Sequence, residues 1–115
     1  MGSTNPSFMN GVPELLVLRL LQSREMYGYQ IVQAIRDETS EVVSLGEGVV
    51  YPVLHALESS GAISSQRRAV NGRSRIYYAL SPQGVTRLTE LTALWSRLTN
   101  AVQQVLESEG HAAIV

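Results

Sequence analysis

The sequence contains no cysteine, so neither a disulfide framework nor a thiolate metal site is available to it. Its two histidines, His55 and His111, stand too far apart in the sequence to form a local metal-binding motif. We therefore predict that the protein holds no metal ion and no cofactor. The sequence also shows no phosphate-binding loop and no paired carboxylates, so it is not expected to be an enzyme.

Long apolar runs are absent as well. No segment approaches the run of about 20 apolar residues that a membrane-spanning helix needs. The first residues, MGSTNPSFMNG, lack the basic stretch and apolar core of a signal peptide. These features predict a cytoplasmic protein. At 115 residues the chain fits one domain that would gain from burying further surface in an oligomer.

Lysine is absent too, and the basic residues, all arginine, are unevenly distributed. Residues 1–61 hold three arginines and seven acids, a charge of −4, and residues 80–115 hold two arginines and three acids, a charge of −1. Residues 62–79 contain no acid and carry +4, from Arg67, Arg68, Arg73 and Arg75. Such a concentrated basic segment favours binding of a polyanion, whereas the alternative is a solvated charged hairpin.

Three short helices are predicted before this basic segment. Pro13 is suited to the first position of a helix that extends to about Gln22. A second helix follows Tyr27-Gly28-Tyr29 and ends near Thr39. The third begins near Gly48 or has a distorted first turn, since Pro52 limits its start, and it ends at Gly61. Its apolar face repeats with helical spacing through Val50, Val53, Leu54 and Leu57.

The basic segment itself is predicted to be a β-hairpin followed by a long helix. Strands over residues 64–70 and 75–80 flank Asn71-Gly72, the commonest two-residue hairpin signal, although the unequal strands leave room for a longer loop. Ser81-Pro82 then provides an N-cap and a first-turn proline for a helix that extends to about Ser108. Three helices and a hairpin in this order predict a winged helix-turn-helix, in which the hairpin is the wing.

The third helix is expected to contact DNA. In a helix-turn-helix the second helix of the pair enters the major groove and its first residues reach the base edges. These residues are Gly48, Val49, Tyr51 and His55. The alternatives are a half-buried core tyrosine for Tyr51 and an ordinary exposed residue for His55.

The wing arginines are expected to bind phosphates, which position a protein on DNA without reading its sequence. Strand alternation places Arg75 and Tyr77 on one face of the hairpin and Ile76 and Tyr78 on the other. One of the two neighbouring tyrosines is therefore expected to lie in the core.

An apolar stripe on the last helix predicts a dimer. Its members recur with spacings of three and four residues, a heptad pattern that one short domain cannot fully cover: Leu88, Leu91, Trp95, Leu98, Val102 and Val105. A two-fold dimer built on this stripe would present two recognition helices to successive major grooves, ~34 Å apart, and would require a palindromic site.

The chain resembles the PadR family of transcriptional regulators, in the short class with a single C-terminal helix. The resemblance extends from about residue 15 to residue 106. It rests on three groups of residues: Tyr27-Gly28-Tyr29; Val50-Tyr51-Pro52 with Leu54, Leu57-Glu58 and Gly61; and Gly72-Arg73 with Arg75 and Tyr77-Tyr78. Val49 and Ala56 depart from it, because the family often has threonine and a basic residue there.

The resemblance implies a DNA-binding repressor that dimerises through its first and last helices. It also implies a role for Trp95, because Trp95-Ser96-Arg97 is similar to the segment with which multidrug-binding members of the family stack flat aromatic compounds between subunits. Helical spacing alone favours Trp95 as a core residue. The sequence thus predicts three partners: double-stranded DNA, a second copy of the chain, and a planar aromatic effector at Trp95.

The predicted fold is mainly α (α+β), with a winged helix-turn-helix over residues 11–80 and a dimerisation helix over 81–108. Residues 1–10, disordered or a tag, and the tail at 109–115 are expected to lie outside the fold. The competing interpretation is a winged-helix module that binds another protein through the wing. It predicts no affinity for DNA.

Overall fold

The computed structural model describes residues 11–109. The N-terminal segment 1–10 and, from residue 110, the tail predicted to be disordered lie outside the described residues. Four helices and three strands follow one another in the order α1 (Val12–Ser23), β1 (Met26–Tyr27), α2 (Gly28–Glu38), α3 (Glu47–Ser59), β2 (Ile63–Val70), β3 (Arg73–Leu80) and α4 (Pro82–Glu107). The predicted fold class, a winged helix-turn-helix followed by one long helix, is confirmed.

The first three helices begin and end close to the positions predicted for them. Pro13 occupies the first turn of α1, where its missing N–H costs no hydrogen bond. At the start of α2, the Tyr27 backbone N–H donates to Gln30 Oε1 at 3.1 Å. Within α3, Pro52 cannot donate to the carbonyl of Gly48 four residues earlier, so that carbonyl receives no helical hydrogen bond from it.

The sheet is antiparallel, with β3 between β1 and β2. Strands β2 and β3 pair over eight residues each, from Ile63 opposite Leu80 to Val70 opposite Arg73. The loop is therefore the two-residue turn Asn71-Gly72, whose φ values of 52° and 79° are both positive, as a type I′ turn requires. The longer loop that the unequal predicted strands allowed does not form.

Strand β1 was not predicted. It consists of Met26 and Tyr27, which pair with Tyr78 and Tyr77 of β3. Two residues are too few to show an alternating pattern, so the sequence carries no signal for this strand. Its pairing nevertheless places the start of α2 beside the hairpin.

The core lies where α1, α2 and α3 pack against the sheet. Its fully buried side chains are Val17, Leu18, Met26, Ile31, Ile35, Val50 and Leu54. Tyr78 is 4% exposed, which confirms that one of the neighbouring tyrosines belongs to the core.

The start of α4 is fixed to the base of the wing. Ser81 Oγ accepts a hydrogen bond from the Gly84 N–H at 3.1 Å, as expected of the N-cap, and donates to the Gly61 carbonyl at 2.5 Å. Gly84 lies so close to the chain after α3 that an added Cβ would be 2.1 Å from the Ala62 carbonyl oxygen. The first turn of α4 therefore packs directly on the backbone that links α3 to β2.

Beyond its first turns, α4 leaves the core. Leu88, predicted to be part of the dimer interface, is only 4% exposed and belongs to the core of the single chain, because this part of α4 packs against α1. Leu91 is half-buried against the same core. The remaining members of the stripe are exposed, namely Trp95, Leu98, Val102 and Val105, and the neighbouring Leu94 and Leu106 are exposed as well.

Candidate nucleic-acid interface

The exposed side of α3 carries two of its four predicted contact residues. Gly48 is exposed, and an added Cβ there would have no neighbour within 4 Å. His55 is exposed, whereas Val49 is partly buried against the core. At Gly48 the first turn of α3 thus presents bare backbone, which allows close approach to a partner.

Helical spacing places Tyr51 opposite the apolar face of α3, yet its side chain packs against a neighbouring element. It is partly buried and lies against the start of α2, so close that a Cβ on Gly28 would be 2.3 Å from its hydroxyl oxygen. Burial raises the pKa of the Tyr51 hydroxyl, and the nearby Glu47 carboxylate raises it further by a smaller amount. The hydroxyl therefore stays protonated at neutral pH and remains a hydrogen-bond donor.

The wing arginines occupy both faces of the hairpin. Arg68 lies directly opposite Arg75, and Arg73 lies two residues away on the same face. Arg67 lies opposite Ile76 on the other face and donates from Nη1 to Ser74 Oγ at 3.1 Å. Three of the four positive charges therefore share the face that points away from the core residue Tyr78.

On that face two tyrosine rings support the arginines. The Arg75 guanidinium lies 4.2 Å from the centre of the Tyr27 ring, and the Arg68 guanidinium lies 4.9 Å from the centre of the Tyr77 ring. The two rings meet edge to face, with centres 5.4 Å apart. Cation–π contacts of this kind restrain a guanidinium without neutralising its charge.

This cluster contains residues that the sequence did not identify as functional. Tyr77 was placed on the face of Arg75 by strand alternation, which the register confirms. Tyr27 was noted only as part of the motif that opens α2, and nothing in the sequence pointed to Glu25, whose carboxylate forms an ion pair with Arg68.

A groove of about 580 Å³ separates the wing from the helices. One wall is the edge of β3 at Arg73 and Arg75, and the other is formed by the start of α2 and by α3. Four tyrosines line it: Tyr27, Tyr29, Tyr51 and Tyr78. Positive charge and phenol hydroxyls facing one groove can bind an anionic chain, because both provide hydrogen-bond donors to phosphate oxygens.

A second, smaller cleft lies between α1 and α4. Its volume is about 150 Å³, and apolar side chains from both helices line it, including Leu15, Leu91 and Trp95. Trp95 is 40% exposed in the single chain and lies at the edge of this cleft.

Comparison with known proteins identifies the family of this chain. The model of the PadR-like family of transcriptional regulators matches residues 17–90. The chain belongs to this family. A transcriptional regulator from Mycobacterium tuberculosis is 30% identical to this PadR-like regulator over 106 residues, which are 92% of the chain and 94% of the relative.

Solved structures of family members have the same fold. A PadR family regulator from Eggerthella lenta superposes with a TM-score of 0.78 and 28% identity, over 90% of this chain and 88% of that one. A PadR-like regulator from Bacillus cereus gives 0.78 and 26%, over 90% and 100%. These relatives are transcriptional regulators rather than enzymes, which confirms the expectation that the chain is not an enzyme.

Two further findings concern residues 11–109 alone. None of the helices there is long and apolar enough to cross a membrane. The same residues contain no cluster of three or more side chains that could hold a metal ion.

Proposed function

We propose that this PadR-like regulator is a repressor that binds a palindromic promoter site as a homodimer, with α3 in the major groove and the wing on the phosphate backbone. The observation that carries the proposal is the placement of Arg73 and Arg75 across a tyrosine-lined groove from the start of α2 and from α3. Both walls of this groove contain side chains that are able to donate hydrogen bonds, so a sugar-phosphate strand lying along it would be held from two sides.

Affinity and sequence preference are assigned to different elements. The wing arginines contact phosphates, which every sequence provides, and so supply most of the affinity. Gly48, Val49 and His55 lie on the part of α3 that would reach base edges. Tyr51 contributes indirectly, since it packs α3 against the start of α2, and its protonated hydroxyl can donate to a phosphate.

The homodimer is supported by the exposed apolar stripe of α4. Leu94 and Leu98 are each 55% exposed and Val102 is 48% exposed. The heptad pattern of this part of the helix is typical of a surface that packs against another helix. In a two-fold symmetric dimer, the stripe of each chain would cover the stripe of the other. The dimer would then carry two recognition helices, as a palindromic site requires.

The test of this function is a binding titration on the regulator's own promoter region and on a scrambled duplex, at several salt concentrations. We expect tighter binding to the promoter, and affinity for both duplexes that falls steeply with salt. Equal affinity for the two would contradict sequence-specific repression. Absence of binding to either duplex at low salt would favour a wing that binds another protein.

The effector site is proposed at Trp95. The cleft between α1 and α4 borders the exposed stripe, so a dimer would extend it with side chains of the second copy. Its apolar walls and the half-exposed indole suit a planar aromatic compound. Such a ligand would release DNA only if it bound the DNA-binding conformation less tightly than a conformation whose two α3 helices do not match the spacing of the half-sites.

Trp95 provides its own signal for this site, because it is the only tryptophan of the chain. We expect planar cationic dyes to quench its fluorescence at micromolar concentration, because a stacked dye accepts the indole's excitation. Calorimetric titration should lose the corresponding heat in Trp95→Ala. If a panel of such dyes left the fluorescence unchanged, the proposed effector site would be wrong.

A further inference from the structure

The acidic residue Glu25 lies beside the basic wing. It stands between α1 and β1, and its carboxylate pairs with Nη2 of Arg68. The two side chains are 45% and 39% exposed. The contact joins residues 43 positions apart, so the fold itself brings this acid to the wing.

Arg68 does not depend on Glu25 alone for its position. Its Nη2 also donates to Gln66 Oε1 at 3.3 Å, and its guanidinium lies over the Tyr77 ring. Two of its three partners are uncharged. If the Glu25 charge were removed, the guanidinium would therefore stay on the same face of the hairpin, with its positive charge no longer paired.

The other wing arginines have different partners. Arg67 donates to a serine hydroxyl, and Arg75 lies over the Tyr27 ring. Within residues 11–109, Arg68 is the one wing arginine that forms an ion pair with a carboxylate. Glu25 thus cancels part of the positive charge of the surface that is proposed to meet DNA.

We propose that Glu25 lowers the affinity of the regulator for DNA by competing with a phosphate for Arg68. This inference rests on the proposed function. An ion pair between exposed side chains is weak, so a phosphate can displace it. The displaced carboxylate then remains beside the DNA backbone, where like charges repel. Glu25 would keep binding weak enough to be reversed, and it would act on every DNA sequence alike.

The test compares Glu25→Gln with Glu107→Gln. Both variants remove one negative charge, but Glu107 lies at the far end of α4. We expect Glu25→Gln to bind promoter and scrambled duplex about fivefold more tightly near 0.1 M salt, a gain of the size of an exposed ion pair. The dependence of log affinity on log salt should steepen by up to about one. Glu107→Gln should match the wild type in both respects.

A double-variant cycle assigns the gain to Arg68. Arg68→Gln should weaken wild-type binding only about twofold, because the charge it removes is already paired. In the Glu25→Gln background the same change should abolish the gain. Equal affinities of Glu25→Gln and Glu107→Gln, or a gain that persists without Arg68, would overturn the inference. A wild type that binds no duplex would instead overturn the proposed function itself.

Discussion

Leu98→Glu is expected to convert the regulator into monomers and to lower its affinity for the promoter duplex by about a hundredfold or more, because the second half-site is then no longer bound by a linked partner. Leu98 is 55% exposed and lies in the middle of the stripe, between Trp95 and Val102. A carboxylate there would be buried in an apolar interface without a partner, and its two-fold copy would lie nearby. The oligomeric state is measured by sedimentation and the affinity by titration.

The matched control for this change is Asn100→Glu. Asn100 is exposed on α4 but points away from the stripe, so the same charge on the same helix should leave the dimer intact. Leu98 lies beyond the part of α4 that packs in the core, and Leu98→Glu monomers should therefore keep the helical content of the wild type. A Leu98→Glu protein that still sediments as a dimer would show that the stripe is not the interface.

Arg73→Ala combined with Arg75→Ala is expected to reduce the affinity for promoter and scrambled duplex by the same factor, about a hundredfold, since each charge-assisted contact contributes roughly 1.5 kcal/mol or more. The slope of log affinity against log salt concentration should become shallower by about two, one for each lost phosphate contact. Arg73 is exposed at the wing tip, and Arg75 is held over Tyr27 at the edge of the groove. Both effects are read from titrations at several salt concentrations.

Arg19→Ala is the control for this pair of changes. Arg19 lies on α1 and, within the described residues 11–109, its guanidinium donates to Ser23 of the same helix, so its removal should leave both affinities almost unchanged. Changes at Val49 or Tyr51, by contrast, should alter the preference for one sequence over another. If the Arg73 and Arg75 changes weakened promoter binding alone, the wing would be reading bases rather than phosphates.

The sequence predicted those parts of the fold that depend on neighbouring residues. Apolar spacing, Pro13, Ser81 and Asn71-Gly72 each act within a few positions along the chain, and the helices and hairpin they predicted are present. Contacts between distant segments were not predictable. Helical spacing showed that Leu88 faces inward, but it does not tell whether α1 or a second copy covers that face.

The same limit applies to the interface. The four arginines were identified from charge alone, yet the Tyr27 ring beneath Arg75 and the Glu25 carboxylate beside Arg68 both come from the segment before α2, 43 or more residues away along the chain. Tyr51 lies at an outward position by spacing, and only the absence of a side chain on Gly28 lets it fold back against α2. A single sequence shows which residues carry charge, but not which residues orient them.

The joint between wing and α4 has a mechanical consequence. Only Ser81 separates the end of β3 from the first turn of α4, and its hydroxyl ties both to the end of α3. Because this joint is so short, we expect the 26-residue helix, about 39 Å long at 1.5 Å per residue, to move together with the wing. In the proposed dimer, a small change in the angle at which the two α4 helices cross would therefore displace both wings.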